Sequence, residues 1–134
     1  MVKLILVTHG NLAEEMLKTA SLILGKAADG VQTLSVTTST SIEQGTAQLT
    51  PLLQDAAEGV IILTDIFGGS ATNIALTASK DFAKCHVITG LNLSMLLTAL
   101  NNRKKLGDKE LAEKIESDGK RAVINATELL IKGL

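Results

Sequence analysis

His9 and Asp65 are the two residues of this chain whose types and settings could do chemistry together. His9 stands in Leu6-Val7-Thr8-His9-Gly10, where an apolar strand pattern stops and a helical one begins. Asp65 stands at a second such junction, Leu63-Thr64-Asp65-Ile66-Phe67-Gly68-Gly69-Ser70. In an open parallel sheet, ligands bind at those strand ends. A carboxylate that accepts the Nδ1 proton of a neutral imidazole leaves the Nε2 lone pair free to attack. The carboxylate has to stay off the attack side, because its charge would repel an incoming phosphoryl group.

Gly68, Gly69 and Ser70 supply a complementary part. Two glycines let the backbone approach closely, and a helix starting there presents unpaired N–H groups to an anion. The Ser70 hydroxyl could cap that helix, hydrogen-bond a phosphoryl oxygen, or do both. His86 is the other histidine; it lies inside a strand pattern without a glycine-rich neighbour and reads as structural. Two distant histidines and no cysteine pair argue against a metal site, and no cofactor is expected. Cys85, the single cysteine, reads as a small buried hydrophobe in a reducing cytoplasm.

The elements that must position these groups follow from composition and pattern. The chain has 134 residues, enough for one domain with a core, and with 46% hydrophobic but 1% aromatic residues that core must be aliphatic. A net charge of −1 argues against general affinity for nucleic acid or anionic membrane. No apolar run reaches the ~20 residues that span a bilayer, and no signal peptide is read. The reading is a soluble, cytoplasmic protein.

Strands are predicted over Lys3–Thr8, Val31–Val36, Gly59–Thr64 and Lys84–Thr89, with the third the most apolar and central. Between them fall helices. The first places Leu12, Met16, Thr19/Ala20 and Ile23 on one face, pairs Glu14 with Lys18, and ends at Gly25. The second opens with a Ser41-x-x-Gln44 capping box and is kinked or restarted near Thr50 by Pro51. Others run from about Ser70 to Lys80, from Asn92 as cap to about Asn102, and from about Asp108 to Lys120. Arg121–Ala126 reads as a short last strand that pairs at an edge, in this or another subunit. Alternating strands and helices require parallel strands with right-handed crossovers. The fold class is α/β: a doubly wound, mainly parallel open sheet of flavodoxin-like order 2-1-3-4, with a short antiparallel C-terminal strand.

Thr8-His9-Gly10, Asp65 through Ser70, and Gly90-Leu91-Asn92-Leu93-Ser94-Met95-Leu96-Leu97 together resemble the EIIA domain of the mannose family of the bacterial sugar phosphotransferase system (PTS), in order and spacing. The resemblance covers nearly the whole chain and implies a single EIIA domain over residues 1–134. It further implies that His9 accepts a phosphoryl group on Nε2 from HPr and passes it to an EIIB partner, with membrane EIIC and EIID in the same system. Matching positions make Asp65 the residue that orients His9, and Gly68, Gly69 and Ser70 the phosphoryl-binding group. The family's members are homodimers that exchange the last strand, which would account for Arg121–Ala126. Phe67, Leu91 and Met95 are candidates for partner docking. The chain departs from some relatives at Phe67, where a Trp can stand, at Ala71, where Pro is common, and at Pro51. The chain's end at Leu134 without a linker suggests a separate EIIB polypeptide.

Rival readings differ at specific residues. Histidine phosphatases need an arginine directly before the histidine, where this chain has Thr8, and no arginine precedes Arg103. A flavin-binding module could use Thr37–Ser41 for phosphate, but the chain has no Trp or Tyr to stack on flavin. A receiver domain lacks its acidic pair, since Thr8-His9 stands there. The nearest rival is the phosphoryl-transfer subunit of a dihydroxyacetone kinase system, whose histidine region is similar but whose glycine segment fits less well.

Overall fold

β1 (Lys3–His9) is the strand around which the rest is arranged. The computed structural model describes residues 1–132; Gly133 and Leu134, the last two positions of the predicted domain, lie outside the described residues. After β1 come α1 (Leu12–Leu24), β2 (Gln32–Val36), α2 (Ile42–Leu49), β3 (Val60–Thr64), α3 (Ser70–Ser79), β4 (Cys85–Ile88), α4 (Leu93–Asn102), α5 (Asp108–Arg121) and α6 (Ala126–Ile131). The strands form one four-stranded sheet of order β2-β1-β3-β4, all parallel, as the alternation predicts.

β1 and β3 are apolar on both faces because helices cover both. Leu4, Leu6, Ile61 and Leu63 pack with residues of α1, α4 and α5. Ile5, Val7, Val60 and Ile62 pack on the opposite side with α2 and α3. Each fully buried Leu or Ile contributes roughly 1.5–3 kcal/mol, so the central strands are a stiff base for whatever their ends carry.

Local signals act as the sequence implies. The Ser41 hydroxyl accepts from the Gln44 amide, and the Gln44 side chain accepts from the Ser41 amide, completing the capping box. α2 stops at Leu49, and a 3₁₀ turn over Thr50–Leu53 follows with Pro51 in its first turn. Asn92 caps α4 by accepting from the Met95 amide.

Three expectations need correction. The buried face of α1 is Ala13, Met16, Leu17, Ala20 and Leu24, while Leu12 and Ile23 are exposed. The cause lies at the helix entry: the buried Thr8 hydroxyl accepts the Ala13 amide at 2.9 Å, which turns Ala13 rather than Leu12 onto the sheet. Lys18 pairs with Glu15, one turn before it, at 3.2 Å rather than with Glu14. Finally, Arg121–Ala126 forms no strand in the single chain. Arg121 closes α5, Ala126 opens α6, and Val123 and Ile124 are exposed. A strand needs a partner for its amides, and among the described residues this segment pairs with none of the four strands.

Candidate functional site

The parallel ladder between β1 and β3 ends at Val7 opposite Thr64. Earlier along the pair, the Lys3 amide donates to the Gly59 carbonyl. The two-residue repeat of that ladder brings the His9 amide opposite residue 65. There the Asp65 side chain takes over: its Oδ2 accepts the His9 amide at 2.9 Å and also contacts His9 Nδ1 at 2.9 Å. Oδ1 accepts the Ile66 amide at 2.9 Å. The carboxylate is thereby fixed in one orientation by three contacts.

The two side chains differ in exposure. His9 is 47% exposed and Asp65 7%. Burial, the largest single influence on the Asp65 carboxyl, pushes its pKa up. The His9 amide, the His9 ring and the Ile66 amide together outweigh it and hold Asp65 below the usual carboxylate value. With Nδ1 facing an ionised carboxylate, the neutral ring keeps its proton there and carries its lone pair on Nε2.

α3 begins beside this ring. Gly68 has φ +81°, a left-handed conformation that L side chains rarely adopt, and it turns the chain toward the helix. Gly69 follows, and a Cβ placed on it would lie 3.1 Å from His9 Cε1. Glycine here lets backbone press against the imidazole edge between its two nitrogens. The first helical bond of α3 runs from the Asn73 amide to the Gly69 carbonyl at 3.0 Å. The amides of Ser70, Ala71 and Thr72 precede it and are free of intrahelical partners. No acidic residue stands in the first turn of α3, so nothing there opposes an anion.

The structure thus brings together His9, Asp65, Gly68, Gly69 and Ser70. Ser70 is exposed and is the first residue inside the helix; Gly69 is the N-cap, so the capping alternative for Ser70 does not apply. Phe67 projects at the same rim, 79% exposed. Leu91 is half-buried against the core, and Met95 is 3% exposed, with a Gly119 Cβ position 2.5 Å from its Cγ. Met95 therefore packs α4 on α5 and cannot present its side chain to a partner. Sequence reasoning missed Thr64 and Thr72, whose buried hydroxyls meet at 2.7 Å beneath the turn. Thr64, a polar end to an otherwise aliphatic strand, was the available signal.

Comparison with known proteins gives a consistent result. The family model EIIA-man, described as PTS system fructose IIA component, matches residues 3–116. The PTS system mannose-specific EIIAB component of Escherichia coli (strain K12) is 36% identical over 106 residues, covering 76% of this chain and 32% of that protein. The chain therefore spans about a third of the length of that relative. Among solved structures, a phosphotransferase system component EIIA from Streptococcus agalactiae superposes with a TM-score of 0.87 at 26% identity, over 96% of this chain and 99% of that one. The mannose/sorbose specific IIA subunit from Enterococcus faecalis gives 0.84 at 32% identity, over 92% and 93%. These matches do not favour the dihydroxyacetone kinase alternative. These solved structures share the fold of this chain, and the chain belongs to the EIIA-man family of PTS IIA components.

Proposed function

We propose that this EIIA domain carries its phosphoryl group on Nε2 of His9, taking it from phospho-HPr and handing it to an EIIB domain of a mannose-type system in the cytoplasm. The observation that carries the reading is the contact of Asp65 Oδ2 with His9 Nδ1, because it decides which nitrogen attacks. The Nε2 lone pair forms a bond to phosphorus while the bond from phosphorus to its donor atom on HPr breaks. The ring keeps its Nδ1 proton and becomes cationic, and the Asp65 carboxylate balances that charge. The free amides at the start of α3 and the Ser70 hydroxyl bind the phosphoryl oxygens beside His9 Cε1. Transfer to EIIB runs in the reverse sense, with the N–P bond breaking as the acceptor attacks. Such transfer relies on positioning and charge stabilisation, so a sparse site suffices. Phe67, with exposed Ile66 and Leu12, offers the apolar surface against which both partners dock. EIIC and EIID complete the system in the membrane; among the described residues, no helix here is long and apolar enough to cross one.

The domain works as a homodimer that exchanges Arg121–Ala126. Support comes from exposed Val123 and Ile124, and from a groove of about 880 Å³ between α5 and the outer edge of β4. Light scattering should read twice 14.1 kDa; a monomer would remove this part.

The test of the carrier reading is a phosphotransfer assay with enzyme I, HPr and phosphoenolpyruvate. The wild type and His86→Ala should take label, and His9→Ala none. Label arriving at His86 in the His9→Ala protein would refute the assignment.

A further inference from the structure

The turn between Asp65 and Ser70 is held from below by an uncharged hydroxyl network. Thr72, the third residue of α3, is 2% exposed, and its hydroxyl donates to the Ile66 carbonyl at 2.6 Å. A hydroxyl has one proton. The Thr64 hydroxyl, 2.7 Å away, must therefore donate to Thr72 Oγ1, so the direction of both bonds is fixed. Thr89, from the end of β4, stands 3.4 Å from the same oxygen. One side chain thus ties together the ends of β3 and β4, the start of α3 and the turn.

What it holds is the backbone of Ile66, whose amide and carbonyl, in successive peptide units, bond to Asp65 on one side and to Thr72 and Gly69 on the other. The Ile66 amide donates to Asp65 Oδ1, and the Ile66 carbonyl accepts both Thr72 and, at 3.3 Å, the Gly69 amide. A shift of that carbonyl moves the carboxylate that orients His9 and the glycine that abuts its ring. We infer that Thr72 is a positioning residue for phosphoryl transfer, acting through its hydroxyl on the Ile66 carbonyl, and so on the Ile66 backbone, to hold Asp65 and Gly69 against His9. Its side chain bonds to Ile66 and the neighbouring threonines, not to the ring or the phosphoryl group. The inference rests on His9 being the phosphoacceptor, but its effect on the ring is measurable without any transfer.

The experiment compares wild type, Thr72→Val, which keeps the shape and removes the hydroxyl, and Thr72→Ser, which keeps the hydroxyl. Two readings are taken: the single-turnover rate of labelling by phospho-HPr, and the ¹⁵N signals of the His9 ring in unphosphorylated protein. Thr72→Val should slow labelling about tenfold and move the His9 Nδ1 signal toward that of a ring freed from its carboxylate, with Thr72→Ser restoring both. If Thr72→Val fails to fold, Thr72→Cys, close in size with a weak donor, should show the same two changes. Wild-type ring signals and rate in the folded Val or Cys variant would overturn the inference. So would slowing that Ser does not rescue, with ring signals unmoved, because that pattern belongs to lost packing. If the wild type itself takes no label from HPr, the carrier reading fails, and the ring signals still decide whether Thr72 positions the pair.

Discussion

The chain holds two histidine–aspartate pairs of almost equal length, and the proposed carrier role falls to only one of them. At the rim of the sheet, His9 Nδ1 lies 2.9 Å from Asp65 Oδ2; at the β4 edge, His86 Nε2 lies 2.7 Å from Asp108 Oδ2. The nitrogen each pair holds is different. Asp65 holds Nδ1 and leaves Nε2, the outer nitrogen, clear, whereas Asp108 takes the outer nitrogen of His86 itself. The surroundings differ as well. His9 abuts Gly69 and the free amides of α3, while His86 faces α5, whose first turn carries Asp108 and Glu110. Glu113 and Glu116 line the same groove as His86, beside Lys109 and Lys120. A phosphoryl group there would meet carboxylates. A histidine paired with an aspartate is therefore no site in itself; the free nitrogen and the charge of the adjoining helix end decide.

The largest separation between the pairs is expected on removing each carboxylate. Asp65→Asn should slow labelling by roughly 10²–10⁴-fold, the scale of losing the group that holds an imidazole in its reactive tautomer. Asp108→Asn should leave the rate within about twofold, because it touches only a tie between β4 and α5. Single-turnover labelling of the two variants measures this directly, and equal losses would erase the distinction.

A smaller effect is expected from the cradle. Gly69→Ala places a methyl 3.1 Å from His9 Cε1, so the ring must yield by a few tenths of an ångström and labelling should slow about tenfold. Ser70→Ala removes one hydroxyl donor and should cost several-fold at most, since backbone amides remain. Unchanged labelling in Gly69→Ala would show that the ring does not lie against the helix start during transfer.

Acid stability should be the weakest discriminator. Asp65 is held below the usual carboxylate value by contacts that outweigh burial, and Asp108 is lowered chiefly by its hydrogen bond from His86. In both cases the folded state binds fewer protons than the unfolded chain near pH 4. The stabilisation is therefore complete above the ordinary value of 3.8 and is lost as pH falls through the lower folded value. Denaturation midpoints followed from pH 6 to pH 2 should flatten similarly in Asp65→Asn and Asp108→Asn, although their labelling rates diverge. Burial pushes the Cys85 thiol up to about 11, still further above this range than its ordinary value.

The sheet order and the meeting of His9 with Asp65 were legible because each rests on a strong local pattern. Aliphatic runs bounded by Gly-containing turns can form only parallel strands when helices separate them. What escaped depended on contacts between elements. The α1 face was misread because Thr8 fixes the helix rotation through the Ala13 amide, which no periodicity records. Met95 shares an apolar segment with Leu91, and its burial and the close approach of Gly119 show that it faces inward. α6 was missed because Arg121–Ala126 was read as β-branched strand, while Asn125 in fact caps a helix by accepting the Glu128 amide. The Thr72 network was invisible for the same reason as Thr8: hydroxyl direction is a property of neighbours.

The central claim concerns a single nitrogen, and ¹⁵N-histidine-labelled protein mixed with enzyme I, HPr and phosphoenolpyruvate reads it. The account predicts phosphorus coupling on Nε2 of His9, a proton retained on Nδ1, and unshifted His86 signals. Phosphorus on Nδ1 of His9, or on either nitrogen of His86, would contradict it.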